Sequence, residues 1–127
     1  MEIKVSKGRN GWQAESYLPL NDTLNTNQQL RILTDRRESL AGCQIVTTAY
    51  VVTVENGIVR YALNYGVGNG DYKECLIERT GVRATEKTIR AQHQEAIANL
   101  ENLKARIAHH YALQAARQKH SELAQAA

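Results

Sequence analysis

The segment from Thr85 to Ala127 constrains this chain most, because after Gly81 the sequence contains neither glycine nor proline. It is rich in Ala, Leu, Gln, Glu, Lys and Arg, the residues that lose least free energy on entering a helix. Apolar residues recur in it at helical spacing, at Ile89, Ala96, Ile97, Leu100, Leu103, Ile107 and Tyr111. This stripe predicts a C-terminal helix with one buried side, and Thr85 is its expected N-cap.

The length of this helix limits how it fits into one domain. An unbroken helix from Thr85 to Ala127 would measure about 60 Å at 1.5 Å per residue. A compact domain of this size is only roughly 35 Å across. We therefore expect the helix to break into two, to fray at its end, or to extend to a second chain. The last arrangement predicts a homodimer or a higher homo-oligomer that forms through the C-terminal helix.

Residues 1–82 carry the pattern of a β-sheet. The predicted strands are Glu2–Ser6, Gln13–Leu20, Leu30–Thr34, Cys43–Glu55, Ile58–Tyr65 and Tyr72–Arg79. Two segments between them are predicted loops, namely the polar stretch Asn21–Gln29 and the glycine-rich stretch Gly66–Gly70. The third strand is followed by the charged cluster Asp35–Glu38 and a predicted turn near Gly42. Strands followed by helix indicate a single α+β domain of residues 1–127. We predict an antiparallel sheet of about five strands, packed on one face against the helical region 85–127.

The best-determined feature of the sheet is a β-hairpin around Asn56-Gly57, which is the strongest short-range hairpin signal. A two-residue turn at this point predicts four opposing pairs: Val54 with Val59, Val52 with Tyr61, Tyr50 with Leu63, and Thr48 with Tyr65. One face of the hairpin is therefore apolar and aromatic, and we expect the helix to cover that face.

Composition places the chain among soluble globular proteins, with 43% hydrophobic and 23% charged residues. It contains no apolar run of the length that a transmembrane helix needs, and its first residues lack the layout of a signal peptide. These features predict a cytoplasmic location. The net charge of +3 permits contact with phosphate groups without requiring it.

Sequence motifs for catalysis or metal binding are weak in this chain. The glycine-rich stretch lacks the pattern of a phosphate-binding loop, and no serine lies in a nucleophile elbow. His109 and His110 are adjacent and point about 100° apart on a helix, so they do not form a metal-binding pair. His93 lies on the apolar stripe, where a buried, hydrogen-bonded histidine is the simpler interpretation. We expect Cys43 and Cys75 to pack as small apolar groups. The sequence thus predicts a protein that is not an enzyme and that holds no cofactor or metal.

The junction between the last strand and the helix carries an unusual charge pattern. Arg79, Arg83, Lys87 and Arg90 crowd the expected N-terminus of the helix, where the helix macrodipole disfavours cations. Together with Thr85 and the helix amide groups, they would form a site for phosphate or for an acidic partner. A solvated basic face with no ligand is the simpler alternative. Arg36 and Arg37 form a second basic patch that could extend the first.

The run Arg83-Ala84-Thr85-Glu86-Lys87 with a downstream His93, after a small basic sheet, resembles small accessory proteins carried by phages and plasmids. In the order of its elements, mainly over residues 71–100, the chain is similar to the anti-Thoeris sponge family. Members of that family place a β-sheet before C-terminal helices and bind cyclic nucleotide signals between subunits. The resemblance implies an oligomer with an anion-binding pocket.

Three mechanisms follow for a mobile-element protein that inhibits a host defence system. The chain could block a protein complex by binding to it, which is the mechanism we expect, in the manner of anti-CRISPR-like inhibitors. It could instead sequester a phosphorylated nucleotide between subunits. It could also bind nucleic acid as a small basic dimer, with Trp12 and Tyr72 as the rings available for stacking on bases.

Overall fold

The computed structural model describes residues 1–20, 28–40, 42–61 and 72–126. In chain order the elements are β1 (Lys4–Gly8), β2 (Gly11–Pro19), β3 (Gln28–Ser39), β4 (Gly42–Glu55), β5 (Ile58–Tyr61), β6 (Lys73–Thr80), α1 (Glu86–Ile97) and α2 (Leu100–Ala126). Strands precede helices, and the helices pack on one face of the sheet. The predicted α+β class is therefore confirmed.

All strand pairs of the described residues are antiparallel. The strands follow the order β1-β2-β3-β4-β5, and β6 pairs with β4. β5 and β6 share one edge of β4, since β5 lies opposite Val52–Glu55 and β6 lies opposite Gln44–Tyr50. The sheet is thus five strands wide, as predicted, although six strands build it.

The third strand is longer than predicted. β3 runs from Gln28 to Ser39, so the cluster Asp35–Glu38 lies within the strand and the predicted end of the strand at Thr34 was wrong. Neighbouring residues of the cluster point to opposite faces near the end of the sheet, where Arg36 pairs with Glu38 and Arg37 pairs with Asp35. Charged residues are tolerated there because both faces are solvated. Most of the predicted polar loop, residues 21–27, lies outside the described residues.

The Asn-Gly hairpin is confirmed where the chain is described. Val54 lies opposite Val59 and Val52 lies opposite Tyr61. Asn56 and Gly57 both have positive φ, of 52° and 76°, as a type I′ turn requires. The positions opposite Tyr50 and Thr48 are taken by Lys73 and Cys75 of β6, and the partners predicted for them, Leu63 and Tyr65, lie outside the described residues. Residues 62–71, which include the glycine-rich stretch, lie outside the described residues.

The helices cover the face of the hairpin opposite to the predicted one. Ala49 and Val51 pack in one cluster with residues of α2, whereas Tyr50 points to the other face. The prediction of the covered face considered only the two strands of the hairpin. In the sheet, β3 adds Leu30 and Ile32 beside Val51 and Ala49, which creates a continuous apolar surface of small and branched side chains. That surface offers the helix more close contact than a row of tyrosines would.

The C-terminal segment is split into two helices, as one of the predicted arrangements required. Thr85 is the N-cap of α1, with φ −92° and ψ 164°, and it forms a capping box with Thr88. The break falls at Ala98 and Asn99, where Asn99 takes the favoured N-cap position of α2. No helix of the described residues is long and apolar enough to cross a membrane.

Two apolar clusters join the helices to the sheet. Leu103, Ile107 and Tyr111 of α2 pack on β3 and β4, and Ile89 of α1 packs on Ala14 and Ile45. Burial of side chains of this size stabilises the fold by about 1.5–3 kcal/mol each. Beyond Tyr111, α2 is exposed apart from a half-buried Gln114, and Leu113 and Leu123 are 43% and 63% exposed. The expected oligomer through this helix stays a prediction.

Candidate functional site

The basic residues predicted at the junction are only partly brought together as a site. Arg79 donates two hydrogen bonds to the carboxylate of Glu95 in α1, at 2.9 and 2.8 Å. Arg90 pairs with Glu86 at 3.3 Å within the same helix. Two of the four predicted cations thus already have a carboxylate partner, which lowers the positive potential that an anion would meet.

The remaining residues of the predicted site face solvent or hold the helix end. Thr85 accepts a hydrogen bond from the backbone amide of Thr88 at 3.2 Å, so its hydroxyl caps α1. Arg83 and Lys87 are exposed, and neither has an ion pair within the described part of the chain. The helix N-terminus therefore satisfies part of its own hydrogen-bonding capacity, and two exposed cations stand beside it.

The second basic patch is divided between the two faces of the sheet. Arg36 lies opposite Ile45, which packs against α1, so it is at the same end of the sheet as the start of that helix. It hydrogen-bonds Glu38 at 2.9 Å and the sulfur of Cys43 at 2.8 Å. Arg37 points to the opposite face, where it reaches Thr48. Arg36 alone is thus placed to extend the predicted site.

The two cysteines do not pack in the core. Cys43 and Cys75 are both exposed free thiols, so the prediction that they act as small buried groups was wrong. Cys43 lies at the start of β4, on the helix side of the sheet but beyond Ile45, and Cys75 of the edge strand β6 points to the opposite face. The described residues contain no group of three or more His, Cys, Asp or Glu side chains that could hold a metal ion.

His93 is buried between α1 and the sheet, as the simpler interpretation predicted. Its Nε2 lies 2.8 Å from the hydroxyl of Ser16, and that hydroxyl donates to the carbonyl of Glu2 at 2.9 Å. Since Ser16 has only one proton to donate, it accepts from His93, and the imidazole proton is assigned to Nε2.

The unprotonated Nδ1 atom continues the chain of hydrogen bonds. It accepts from the hydroxyl of Thr34 at 2.9 Å, and Thr34 accepts in turn from Thr47 at 2.7 Å. Thr47 accepts from the amide of Gln92 at 3.1 Å. Every donor in this series has an acceptor, and burial is the main cause that lowers the pKa of His93 to about 4. The neutral histidine therefore fixes α1 on the sheet through hydrogen bonds to Ser16 and Thr34.

The outer face, defined as the face of the sheet turned away from the helices, has a central row that the sequence did not reveal. Tyr17, Arg31 and Tyr50 lie directly opposite one another on β2, β3 and β4. The guanidinium carbon of Arg31 is 5.2 Å from the ring centre of Tyr50 and 6.0 Å from that of Tyr17. We call these three residues the tyrosine–arginine row.

Glu15 holds the arginine of this row in place. Arg31 Nε donates to the Glu15 carboxylate at 2.7 Å, and the guanidinium also contacts the hydroxyl of Tyr50. The side chains of Arg31 and Glu15 are only 12% and 15% exposed. The row is therefore a rigid surface of two rings and one guanidinium, because the contacts with both tyrosines and the ion pair with Glu15 fix the arginine.

No helix of the described ranges packs on the outer face, since both helices lie against the opposite one. Its charges nearly cancel. Four basic residues (Lys4, Arg31, Arg37 and Lys73) and three acidic residues (Glu15, Asp35 and Glu78) share this face by strand register. A partner that binds this face would thus contact aromatic rings and side chains of both charges, and it would meet no strong electrostatic potential of one sign.

The aromatic residues considered for base stacking are engaged elsewhere. Trp12 packs at the edge of the cluster of Ala14, Ile45 and Ile89, with the amine of Lys7 5.6 Å from its ring centre. Tyr72 donates its hydroxyl proton to Glu74 at 2.7 Å and packs near α2. Both rings therefore already have partners within the chain, which makes them less available for stacking on bases.

Comparisons with protein-family models, with curated proteins and with solved structures found no match. The tyrosine–arginine row was missed because it depends on the register between β2 and β3. Residues 21–27, which separate these strands, carry no turn signal that fixes that register. Only the alternation of Glu15 with Tyr17 on one strand pointed to a polar and aromatic face.

Proposed function

We propose that this chain is a non-enzymatic binding protein that docks on a partner protein through the outer face of its sheet. The observation that carries the proposal is the tyrosine–arginine row, in which Arg31 lies between the rings of Tyr17 and Tyr50 and is paired with Glu15.

Tyrosine and arginine favour a protein as the partner. Both residue types are enriched among the residues that contribute most to protein–protein affinity. Their side chains are already held in one arrangement by stacking and by the carboxylate, so little conformational entropy is lost on binding. Polar residues such as Gln13 and Gln44 lie further out on the same face and suit the solvated rim of an interface.

The distribution of charge speaks against a phosphate ligand as the main partner. On the outer face, Arg31 and Arg37 are paired with Glu15 and Asp35. At the helix junction, Arg79 and Arg90 are paired with glutamates as well. A surface for nucleic acid requires several cations directed at phosphates, with few carboxylates between them. Arg83 and Lys87 on their own would attract a phosphate group more weakly than such a cluster of cations.

The biological role that fits this binding mode is inhibition of a host defence complex by occlusion, in the cytoplasm of a bacterium that carries the mobile element. The resemblance to phage and plasmid accessory proteins supports this role. Occlusion requires a rigid surface rather than a catalytic pocket, and the outer face provides such a surface.

The experiment compares binding by two matched double variants. The chain is expressed in its bacterial host, and a co-purifying protein is identified by mass spectrometry. We expect Tyr17→Ala with Tyr50→Ala to lose that protein, because the variant removes both rings of the row. Leu113→Ala with Leu123→Ala removes exposed side chains of α2 and should retain it. Retention by the tyrosine variant, or capture of nucleic acid in place of a protein, contradicts the proposal.

A further inference from the structure

Within the described part of the sheet, β6 is an edge strand. Among the described strands it pairs only with β4. An unpaired strand edge presents a row of backbone donors and acceptors that another strand can bind. A cleft of about 370 Å³ runs beside this edge, between β6 and the two helices, and Leu76, Asn99, Asn102 and Arg106 are among its lining residues.

A β-bulge in β6 changes which residues share a face. Thr47 lies opposite Ile77 and Thr48 lies opposite Cys75, so Leu76 is an extra residue. Leu76 packs toward α2, on the same side of the sheet as Ile77. Glu74 and Arg79 both point to the helix side as well, because they contact Arg106 and Glu95. Lys73, Cys75, Glu78 and Thr80 point to the outer face.

The charges of β6 are arranged as a mirror image around its centre, with Lys73 and Glu74 at one end and Glu78 and Arg79 at the other. In a regular strand that pairs with its own copy, this arrangement sets Lys73 against Arg79 and Glu74 against Glu78. Such like-charge pairs are destabilising. The bulge removes this register, because residues 73 and 79 no longer point to the same face.

A register shifted by one residue matches both the faces and the charges. It places Glu74 opposite Arg79 of the second copy and Leu76 opposite Ile77 of the second copy. On the outer face, Lys73 then lies diagonally across from Glu78 of the second copy, within reach of long side chains. Each contact occurs twice about a two-fold axis, as in an isologous interface.

Lys73 and Glu78 are available for such contacts. Both are exposed, and neither forms an ion pair within residues 72–126 or elsewhere in the described chain. The cleft beside Leu76 leaves room for the side chains of a second copy.

We propose that β6 pairs antiparallel with β6 of a second copy of this chain, in the register that sets Leu76 against Ile77 and Glu74 against Arg79. The dimer extends the sheet across the two-fold axis. It uses neither the tyrosine–arginine row nor the exposed end of α2.

The test uses charge reversal at the two unpaired residues. Lys73→Glu and Glu78→Lys each place like charges across both diagonals, so each should raise the dimer Kd by about tenfold or more. The double variant K73E/E78K restores opposite charges and should recover the parent Kd. Mass and Kd are measured by sedimentation equilibrium and light scattering.

Mixing the two single variants gives an independent readout. The K73E chain presents two carboxylates and the E78K chain presents two ammonium groups, so the mixture should form a heterodimer more tightly than either chain pairs with itself. Leu113→Gln with Leu123→Gln is the control at α2 and should leave the Kd unchanged. A monomeric parent chain, single variants that pair as the parent does, or loss of the dimer only in the α2 variant would each overturn the proposal.

Discussion

The Nδ1 atom of His93 lies 2.9 Å from the hydroxyl oxygen of Thr34, and this contact sets the direction of the hydrogen bonds beneath α1. Since Nδ1 accepts, the imidazole is neutral and donates through Nε2 to Ser16. Both His93 and Thr34 are fully buried. The arrangement stabilises one position of α1 on the sheet, because a shift of the helix would leave buried polar groups without partners.

Replacement of His93 by leucine should destabilise the fold strongly. The variant leaves the hydroxyls of Ser16 and Thr34 without their buried partner, which costs about 2–4 kcal/mol of unfolding free energy for the two groups together. Urea unfolding followed by circular dichroism measures the change. The control His109→Leu, at an exposed position of α2, should shift the unfolding free energy by less than about 0.5 kcal/mol. Equal effects of the two variants would show that the buried chain contributes nothing specific.

The stability of the fold should depend on pH through His93. Its pKa is lowered to about 4 by burial, and the field of Glu15 opposes this only in part. The unfolded chain therefore binds more protons than the folded chain between pH 6.5 and pH 4. Stability is fully present above pH 6.5 and falls as the pH is lowered toward 4, by roughly 3 kcal/mol at most.

This dependence is separated from that of other groups by comparison with the His93→Gln variant. The variant has no group that titrates at this position, so the loss of stability between pH 6.5 and pH 4 should be smaller than in the parent chain. Unfolding free energies at several pH values test this. Parallel curves for the two proteins would exclude His93 as the cause.

Charge reversal at the helix junction should leave the fold intact. Arg83 and Lys87 are exposed and have no ion pair in the described structure. Because the N-terminus of α1 favours negative charge, Arg83→Glu with Lys87→Glu should raise the unfolding free energy by about 0.3–1 kcal/mol. Arg117→Glu with Lys119→Glu is a matched control away from that terminus and should bring no such gain.

The same variant examines the anion site predicted from the sequence. Docking through the outer face predicts that the R83E/K87E protein still binds its partner. Loss of the partner in this variant, with no loss of thermal stability, would move the binding surface to the junction and support sequestration of a phosphorylated ligand.

Loss of Arg31 should cost more stability than loss of Arg37, although both are paired arginines of β3. Arg31 and Glu15 are mostly buried beside two tyrosines, whereas the side chain of Arg37 is 44% exposed. We expect Arg31→Ala to lower the unfolding free energy by about 1–3 kcal/mol, and Arg37→Ala by at most about 1 kcal/mol. Similar losses would indicate that the tyrosine–arginine row is not a rigid unit.

The sequence was most informative where local chemistry determines structure. The capping residue Thr85 and the turn at Asn56-Gly57 were predicted because each depends on neighbouring residues only. The alternation of β4 left two possible buried faces, and the choice between them depends on Leu30 and Ile32 of another strand. The spacing of apolar residues within β4 does not indicate which residues of β3 lie beside it.

The candidate site was harder to predict for the same reason. Arg31 meets Tyr17 and Tyr50 only through the register of three strands, one of which follows the stretch 21–27. The partner of Arg79 also emerged only once β6 and α1 were placed, since Glu95 is distant from Arg79 in the sequence.

Site-specific crosslinking is the most direct test of the docking surface. A photoreactive amino acid is introduced at Tyr17 on the outer face or, as a control, at the exposed Gln94 of α1, and the chain is irradiated in its bacterial host. Docking through the outer face predicts an adduct with one defined protein from position 17 and none from position 94. An adduct from position 94 alone, or a nucleic-acid adduct from position 17, would contradict the proposed function.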